Sequence, residues 1–221
     1  MNTFQLRDHC IGPLEGKHIR LQRLNPEEDY EELYENSHGT PQKQTIWDYL
    51  YFDTYKQPFL SAGDFKQFLL DLNNDSMWIQ FVVVDKASNR KIGQINLLNI
   101  VHSHKRAELG GLWYTPEFWG TYANTESSLL LLYYLFENQK YRRAEWKCDS
   151  KNEPSKKAAI KLGYTAESIM RQHMLIKGVN RDTAYFSILD SEWEEKKRLL
   201  FKRLNYTEED EERLSKNMMS V

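Results

Sequence analysis

One succession in the middle of the chain restricts the fold more than any other: "RAELGGLWYT" (106–115), a long apolar helical pattern over 122–139, then "RAEWKCDS" (143–150). A strand, a helix and a second strand in that order favour parallel pairing of the two strands, because a helical crossover brings the chain back in the same direction. The surrounding pattern is antiparallel. "MWIQFVVVD" from Met77, the polar turn "KASNR" and "KIGQINLLNI" predict a hairpin leading into the strand at 106–115. Two more strands are expected at roughly 165–177 and 181–189, joined by the turn "KGVNR". With helices between these groups the fold class is α+β.

Helix signals frame the strands. Asn25 and Pro26 open one helix, with Tyr30, Leu33 and Tyr34 on one face, and Asn152, Pro154 and Gly163 bound another. Ser191 and Glu194 read as a capping box for a terminal helix, and the tail "TEEDEERLSK" is expected to be solvated. The chain divides into one domain over 12–190 and a helical extension of it over 191–221, the segment open to a partner or a second copy forming a homodimer. Gly110 and Gly111 inside a strand mark either a ligand cleft or a tight crossing of backbones. The aromatics of "TIWDYLYFDTY" (45–55) either line a pocket or fill a core.

The totals exclude several classes. The formal net charge of −2 gives no overall basic field for nucleic acid or an anionic membrane, so any anion site is local. Cys10 and Cys148 match no metal or redox spacing, the N-terminus lacks the apolar core of a signal peptide, and "LLLLYYLF" (129–136) is too short to span a bilayer. A cytoplasmic protein is expected. His102 and His104 in "HSHK" have no further ligand in view, and no metal is expected.

The segments "ELGGLWYTPEFWGTYANTES", "YRRAEWKCDSKNEPSKKAAIKLGY" and "VNRDTAYFSILDSEW" together resemble the GNAT acetyltransferase superfamily, in the branch of ribosomal-protein N-terminal acetyltransferases. The likeness runs over roughly 12–195 and is densest over 106–195. It implies a mixed, mostly antiparallel central sheet in which two central strands splay. Acetyl-CoA, the implied cosubstrate, would enter the opening with its pyrophosphate on the following helix N-terminus. On this resemblance the cofactor contacts are Leu112 and Trp113, then Trp119, Gly120, Thr121, Tyr122, Ala123, Asn124 and Thr125, and finally Asn152 and Ser155. The loop departs from the family's Arg/Gln-x-x-Gly-x-Gly/Ala: Trp119, Tyr122 and Asn124 stand at its three marked positions. A Cβ obstructs close approach of backbone to phosphate, so the departure predicts weaker binding or, at the extreme, a loop closed by Tyr122. The expectation is that residues 119–125 both cap the helix and hold phosphates.

Acetyl transfer needs a neutral amine, a donor to the thioester oxygen and a proton for the departing thiolate. Ser155, in the branch's N-x-x-S element with Asn152, is the candidate acid. Glu167, in "AESIMRQ", matches a glutamate that the resemblance implies is a general base or amine anchor, and Glu108 on the glycine-bearing strand competes with it. His38 in "NSHG" either faces the acceptor or complements a helix dipole, and Cys148 reads as a small core residue. The leading expectation is an N-acetyltransferase moving an acetyl group to a primary amine, in a small molecule or at a protein N-terminus, by direct attack in a ternary complex. Asp48 and Asp53 suit a cationic acceptor. The alternatives are a catalytically silent acyl-CoA-binding or regulatory module, and an interaction module that binds no CoA.

Overall fold

The hairpin expected after Met77 forms from Val, Ile and Phe, residues that fit a pleated, half-buried surface: β3 is Trp78–Asp85 and β4 is Lys91–Val101 in the chain's numbering of strands. The computed structural model describes residues 11–51, 55, 57–176 and 178–219; Cys10 and Asp53 lie outside the described residues. Before the hairpin come β1 (Leu14–Glu15) and β2 (Ile19–Arg23), and after it β5 (Arg106–Tyr114), β6 (Arg143–Asp149), β7 (Thr165–Ile176) and β8 (Val179–Leu189). They make one sheet in the order β1-β2-β3-β4-β5-β6-β8-β7. Every neighbouring pair is antiparallel except β5 and β6, the two strands joined by the helical crossover.

That parallel pair is short. Arg106–Glu108 lie beside Arg143–Glu145, and the pairing goes no further although both strands continue. On its other edge β5 shifts register against β4 between Gln94 and Asn96, where Gly110 and then Trp113 are the partners. Gly111 takes φ +55° at this bulge, and a Cβ there would stand 2.8 Å from Asn96 Nδ2 and 2.9 Å from the Trp78 ring. The close neighbours are side chains rather than a crossing backbone, and, as shown below, a cleft opens on the other side of the strand.

Helices cover the two faces. On one face α1 (Pro26–Ser37), the short α2 (Pro41–Gln44) and α3 (Ala62–Asn74) enclose Leu33, Trp47, Phe59, Phe65 and Phe68 against Val82, Val84 and Trp113. On the other, α4 (Ala123–Tyr133) continues as a π-helical turn over Tyr134–Asn138, and α5 (Glu153–Leu162) follows β6. Residues 125–133 of α4 are buried all round, which an apolar helix requires when it has neighbours on both sides. Those neighbours are the sheet and α6 (Trp193–Leu204), whose Trp193, Leu200, Phe201 and Leu204 join the same core.

Two expectations for the C-terminal segment are corrected. The cap is two residues earlier and one-sided: Glu192, not Glu194, accepts from the Leu189 N–H at 3.1 Å, so a 3-10 turn precedes α6 and Ser191 is no cap. The charged tail is not merely solvated, because it folds into α7 (Glu208–Met219) and buries Leu214 and Met218. Its Asp210 meets the Lys17 ammonium at 2.9 Å. Between α6 and α7, the Tyr206 hydroxyl donates to Glu126, a fully buried carboxylate in the first turn of α4 that also accepts the N–H groups of Lys17 and His18. Gly16 makes room for it: a Cβ there would fall 2.5 Å from Glu126 Oε1. No described helix is long and apolar enough to cross a membrane.

Candidate active site

Where β5 and β6 part, a cleft of about 710 Å³ opens through the sheet, within the range usual for small-molecule sites. The bulged strand supplies Gly110, Gly111, Leu112 and Trp113 to one wall, and the facing wall comes from Trp146, Lys147 and Cys148. Beyond Glu108 the β6-facing edge of β5 has no strand partner, which leaves main-chain donors and acceptors for an amide-bearing arm.

At the phosphate-loop end, Phe118, Trp119, Gly120 and Asn124 line the cleft. Gly120 takes φ +76° in open space, so glycine is required there for backbone shape rather than room. Trp119 is held by its indole N–H to the Tyr114 carbonyl at 2.8 Å, and Tyr114 O–H donates to Asn124 Oδ1 at 3.3 Å. Tyr122, the residue expected to weaken or close the loop, turns away. Its hydroxyl donates to Asp85 at 2.7 Å, and its ring lies 4.7 Å from that of His18. It stands at the N-cap of α4 and makes no side-chain cap itself; the Ala123 N–H is taken by Thr121 Oγ1 at 3.3 Å. Thr121, Tyr122, Ala123 and Thr125 are not on the cleft wall; Ala123 and Thr125 are buried behind it.

Opposite, Asn152 caps α5, its Oδ1 accepting from Ser155 N–H at 3.0 Å. Ser155 Oγ accepts from the Trp146 indole at 3.0 Å, which leaves the serine's own proton for another acceptor in the cleft. Burial pushes the neighbouring Cys148 thiol up, with the Ser155 hydroxyl partly offsetting it, so the thiol stays protonated. Lys156 is ion-paired with Glu153 rather than free for phosphate.

The two candidate carboxylates separate. Glu108 lies at the fork, 5% exposed, where its Oε2 accepts from Asn99 Nδ2 at 2.7 Å and from Lys147 Nζ at 2.8 Å. Burial pulls the Lys147 ammonium down, but Glu108 and Glu145 outweigh it and hold it above its ordinary value. Glu167 is not on the cleft wall. The Arg143 guanidinium grips it from two nitrogens, Ser187 Oγ donates at 2.7 Å, and Arg143 above all holds its carboxyl down to about 2.

A further wall of the cleft comes from the aromatic segment, which divides between the two expected uses. Trp47 is core, whereas Tyr49, Leu50 and Tyr51 line the cleft, and Tyr49 O–H reaches the Lys151 carbonyl at 3.3 Å. Asp48 is exposed and off the wall. His38 does not face the cleft; it is the C-cap of α1, with Nδ1 3.3 Å from the Tyr34 carbonyl in the helix's last turn. It is buried between Tyr34 and Trp47, accepts Phe59 N–H on Nε2 at 3.1 Å and has Ser37 Oγ 2.8 Å from Nδ1; burial lowers it to about 4. His102 meets the Tyr141 hydroxyl at 2.8 Å, and the described residues hold no group of three acids, histidines or cysteines that could bind a metal.

Lys147, Asn99, Tyr185 and Arg181 were not singled out from sequence. A signal existed for one: Arg143, Glu145, Lys147 and Asp149 alternate with Ala144, Trp146 and Cys148, the mark of one polar and one buried strand face.

A family model described as "Acetyltransferase (GNAT) domain" matches residues 18–165. The chain belongs to the GNAT acetyltransferase family. A crystal structure titled as a GCN5-related N-acetyltransferase from Brucella melitensis is 34% identical, covering 84% of this chain and 82% of that one, with a TM-score of 0.78. One titled as a probable GNAT-family acetyltransferase from Chromobacterium violaceum ATCC 12472 is 32% identical over 83% and 88%, with a TM-score of 0.77. Among curated proteins, "Putative ribosomal N-acetyltransferase YdaF" of Bacillus subtilis (strain 168) is 27% identical, covering 82% of this chain and 97% of that protein. As a GNAT-family N-acetyltransferase the chain is an enzyme, and the family implies an acyl-CoA donor.

Proposed function

We propose that this GNAT enzyme moves an acetyl group from acetyl-CoA to the α-amino group of a protein N-terminus, by direct attack in a ternary complex. The observation that carries the reading is the fork itself: β5 and β6 separate beyond Glu108, and the opening holds Ser155 on one side and Glu108 with Lys147 on the other. The pantetheine arm would pair with the free edge of β5, and its phosphates would meet the loop at 119–124. Asn152, bound to its own helix, would set the position of Ser155.

In the reaction the amine nitrogen forms the new C–N bond while the thioester C–S bond breaks. Ser155, already an acceptor to Trp146, gives a hydrogen bond or its proton to the departing sulfur, aided by the positive end of α5. Glu108 receives or relays the amine proton. An α-amino group, with an ordinary pKa of about 7.7–8.0, asks less of a base than a lysine ammonium near ~10.4. A carboxylate already shared between Asn99 and Lys147 suits the smaller demand. The Bacillus subtilis relative, named "Putative ribosomal N-acetyltransferase YdaF", supports a protein acceptor.

Titration calorimetry with acetyl-CoA and mass spectrometry of acetylated N-terminal peptides test the reading. Glu108→Gln is expected to lower kcat about a hundredfold while acetyl-CoA still binds. Unchanged turnover in both Glu108→Gln and Ser155→Ala would remove the assigned roles. Acetyl-CoA binding with no transfer to any amine would identify a silent module.

A further inference from the structure

The acceptor face of the cleft holds an arginine, Arg181, whose Nε has no hydrogen-bond partner among the described residues. Arg181 lies on β8, and the two-residue period of the strand puts it on the same face as Thr183 and Tyr185, while Ala184 and Phe186 enter the core. The Lys147 ammonium is 5.1 Å from the Tyr185 ring, which fixes this face as the one that carries the fork's polar groups. Arg181 lines the cleft there with Tyr49 and Tyr51.

The other cationic or protonatable groups on this wall are satisfied. Lys147 has Glu108 and Glu145. His173 has Thr183 Oγ1 at 3.0 Å and the Tyr185 hydroxyl at 3.4 Å. Arg181 differs: among the described residues its Nε is shut from water with no hydrogen-bond partner, and no carboxylate is recorded in an ion pair with it. Asp149, on the polar face of β6, accepts instead from the Lys151 N–H at 2.8 Å. A buried donor and an uncompensated charge are both costly, and a forked guanidinium is matched by a carboxylate or phosphate.

We propose that Arg181 binds an anionic group of the acceptor, and that the acceptor class is a peptide N-terminus with an acidic side chain within its first four residues. This rests on reading the cleft as the acceptor site of an N-acetyltransferase. The spacing selects the class. Lys147, at the fork, pairs with Tyr185, four residues from Arg181 along β8, so the backbone positions that carry the two cations are about 13 Å apart along the strand. The amine and carboxylate of a free amino acid cannot span that distance. An extended peptide, at about 3.4 Å per residue, spans it in three to four residues.

The test uses the full-length protein, acetyl-CoA and pairs of peptides that differ only by Asp or Asn at the second, third or fourth residue. The native enzyme is expected to favour one acidic peptide by about tenfold to a hundredfold in kcat/KM, mostly through KM. In Arg181→Gln that ratio falls towards one, Arg181→Lys keeps part of it, and Arg181→Glu favours a lysine-bearing peptide. Equal kcat/KM for Asp and Asn peptides in the native enzyme, or the same ratio in Arg181→Gln, overturns the proposal. Calorimetry of the same peptides decides the matter if none is acetylated: an acidic preference lost in Arg181→Gln upholds the anion site, and no preference sinks it. In that case the missing transfer counts against the catalytic reading alone.

Discussion

His38 makes stability depend on pH in a way that can be worked through. The ring is 7% exposed, accepts the Phe59 N–H on Nε2 and so carries its proton on Nδ1, next to Ser37. Protonating Nε2 would replace an accepted hydrogen bond with a buried donor facing a donor. Burial accordingly lowers the group from 6.5 to about 4. The unfolded chain therefore takes up a proton near pH 6.5 and the folded chain only near pH 4, so stability is full above the first value and falls as pH drops between the two. Over that interval of about 2.5 pH units, at about 1.4 kcal/mol each, the full loss is about 3.4 kcal/mol, of which about 2.5 kcal/mol is expressed by pH 4.5. His38→Gln keeps an acceptor for Phe59 but has no titrating group. Urea unfolding of both proteins between pH 7.5 and 4.5 isolates the contribution: the native curve should fall by about 2.5 kcal/mol more than the variant's. Parallel curves would refute the reasoning. The same ring pins Phe59 beside Trp47, at the base of the segment that carries Tyr49 and Tyr51 to the cleft, so the acid transition should begin on the acceptor side.

Glu167→Gln is expected to leave kcat within about twofold, because Arg143 and Ser187 hold Glu167 away from the cleft wall. Its folded pKa is lowered, so its contribution to stability is present above about pH 4.5 and is lost as pH falls towards 2; a large kcat loss with unchanged stability would reverse the assignment. Tyr206→Phe removes a donor from the buried Glu126 carboxylate and should cost about 1.5–3 kcal/mol in urea unfolding, the range for a hydrogen bond to a charged group.

What the sequence made legible was local. The β3–β4 hairpin, the apolar helix and the cap at Asn152 with its stop at Gly163 all rest on neighbours within a few residues, and they formed as read. What the sequence left open turns on contacts between stretches far apart along the chain. Glu167 goes to Arg143 because the β7–β8 register slips between Ala166 and Ser168, and nothing in "TAESI" announces that bulge. Arg181 stands where the turn "KGVNR" meets the strand expected at 181–189, and it lies inside β8 because that strand begins two residues earlier, at Val179. Tyr122 looked obstructive because its partner, Asp85, is far away in sequence at the end of β3. The aromatic segment could not be divided from sequence either, since Trp47 and Tyr49 differ only in whether His38 and Phe59 surround them.

The carboxylate of Glu126 ties together three distant stretches of chain, and that has a consequence for how such a sequence can change over generations. Gly16 gives it space, Lys17 and His18 give it main-chain donors, and Tyr206 gives it a hydroxyl. A side chain at position 16 would displace the acid, and loss of Tyr206 would leave part of it unanswered beneath the helix that opens onto the cleft. These positions should therefore be inherited as a set. A descendant that shed everything after α6 would need a new residue at 126 before the shortened chain could hold its fold.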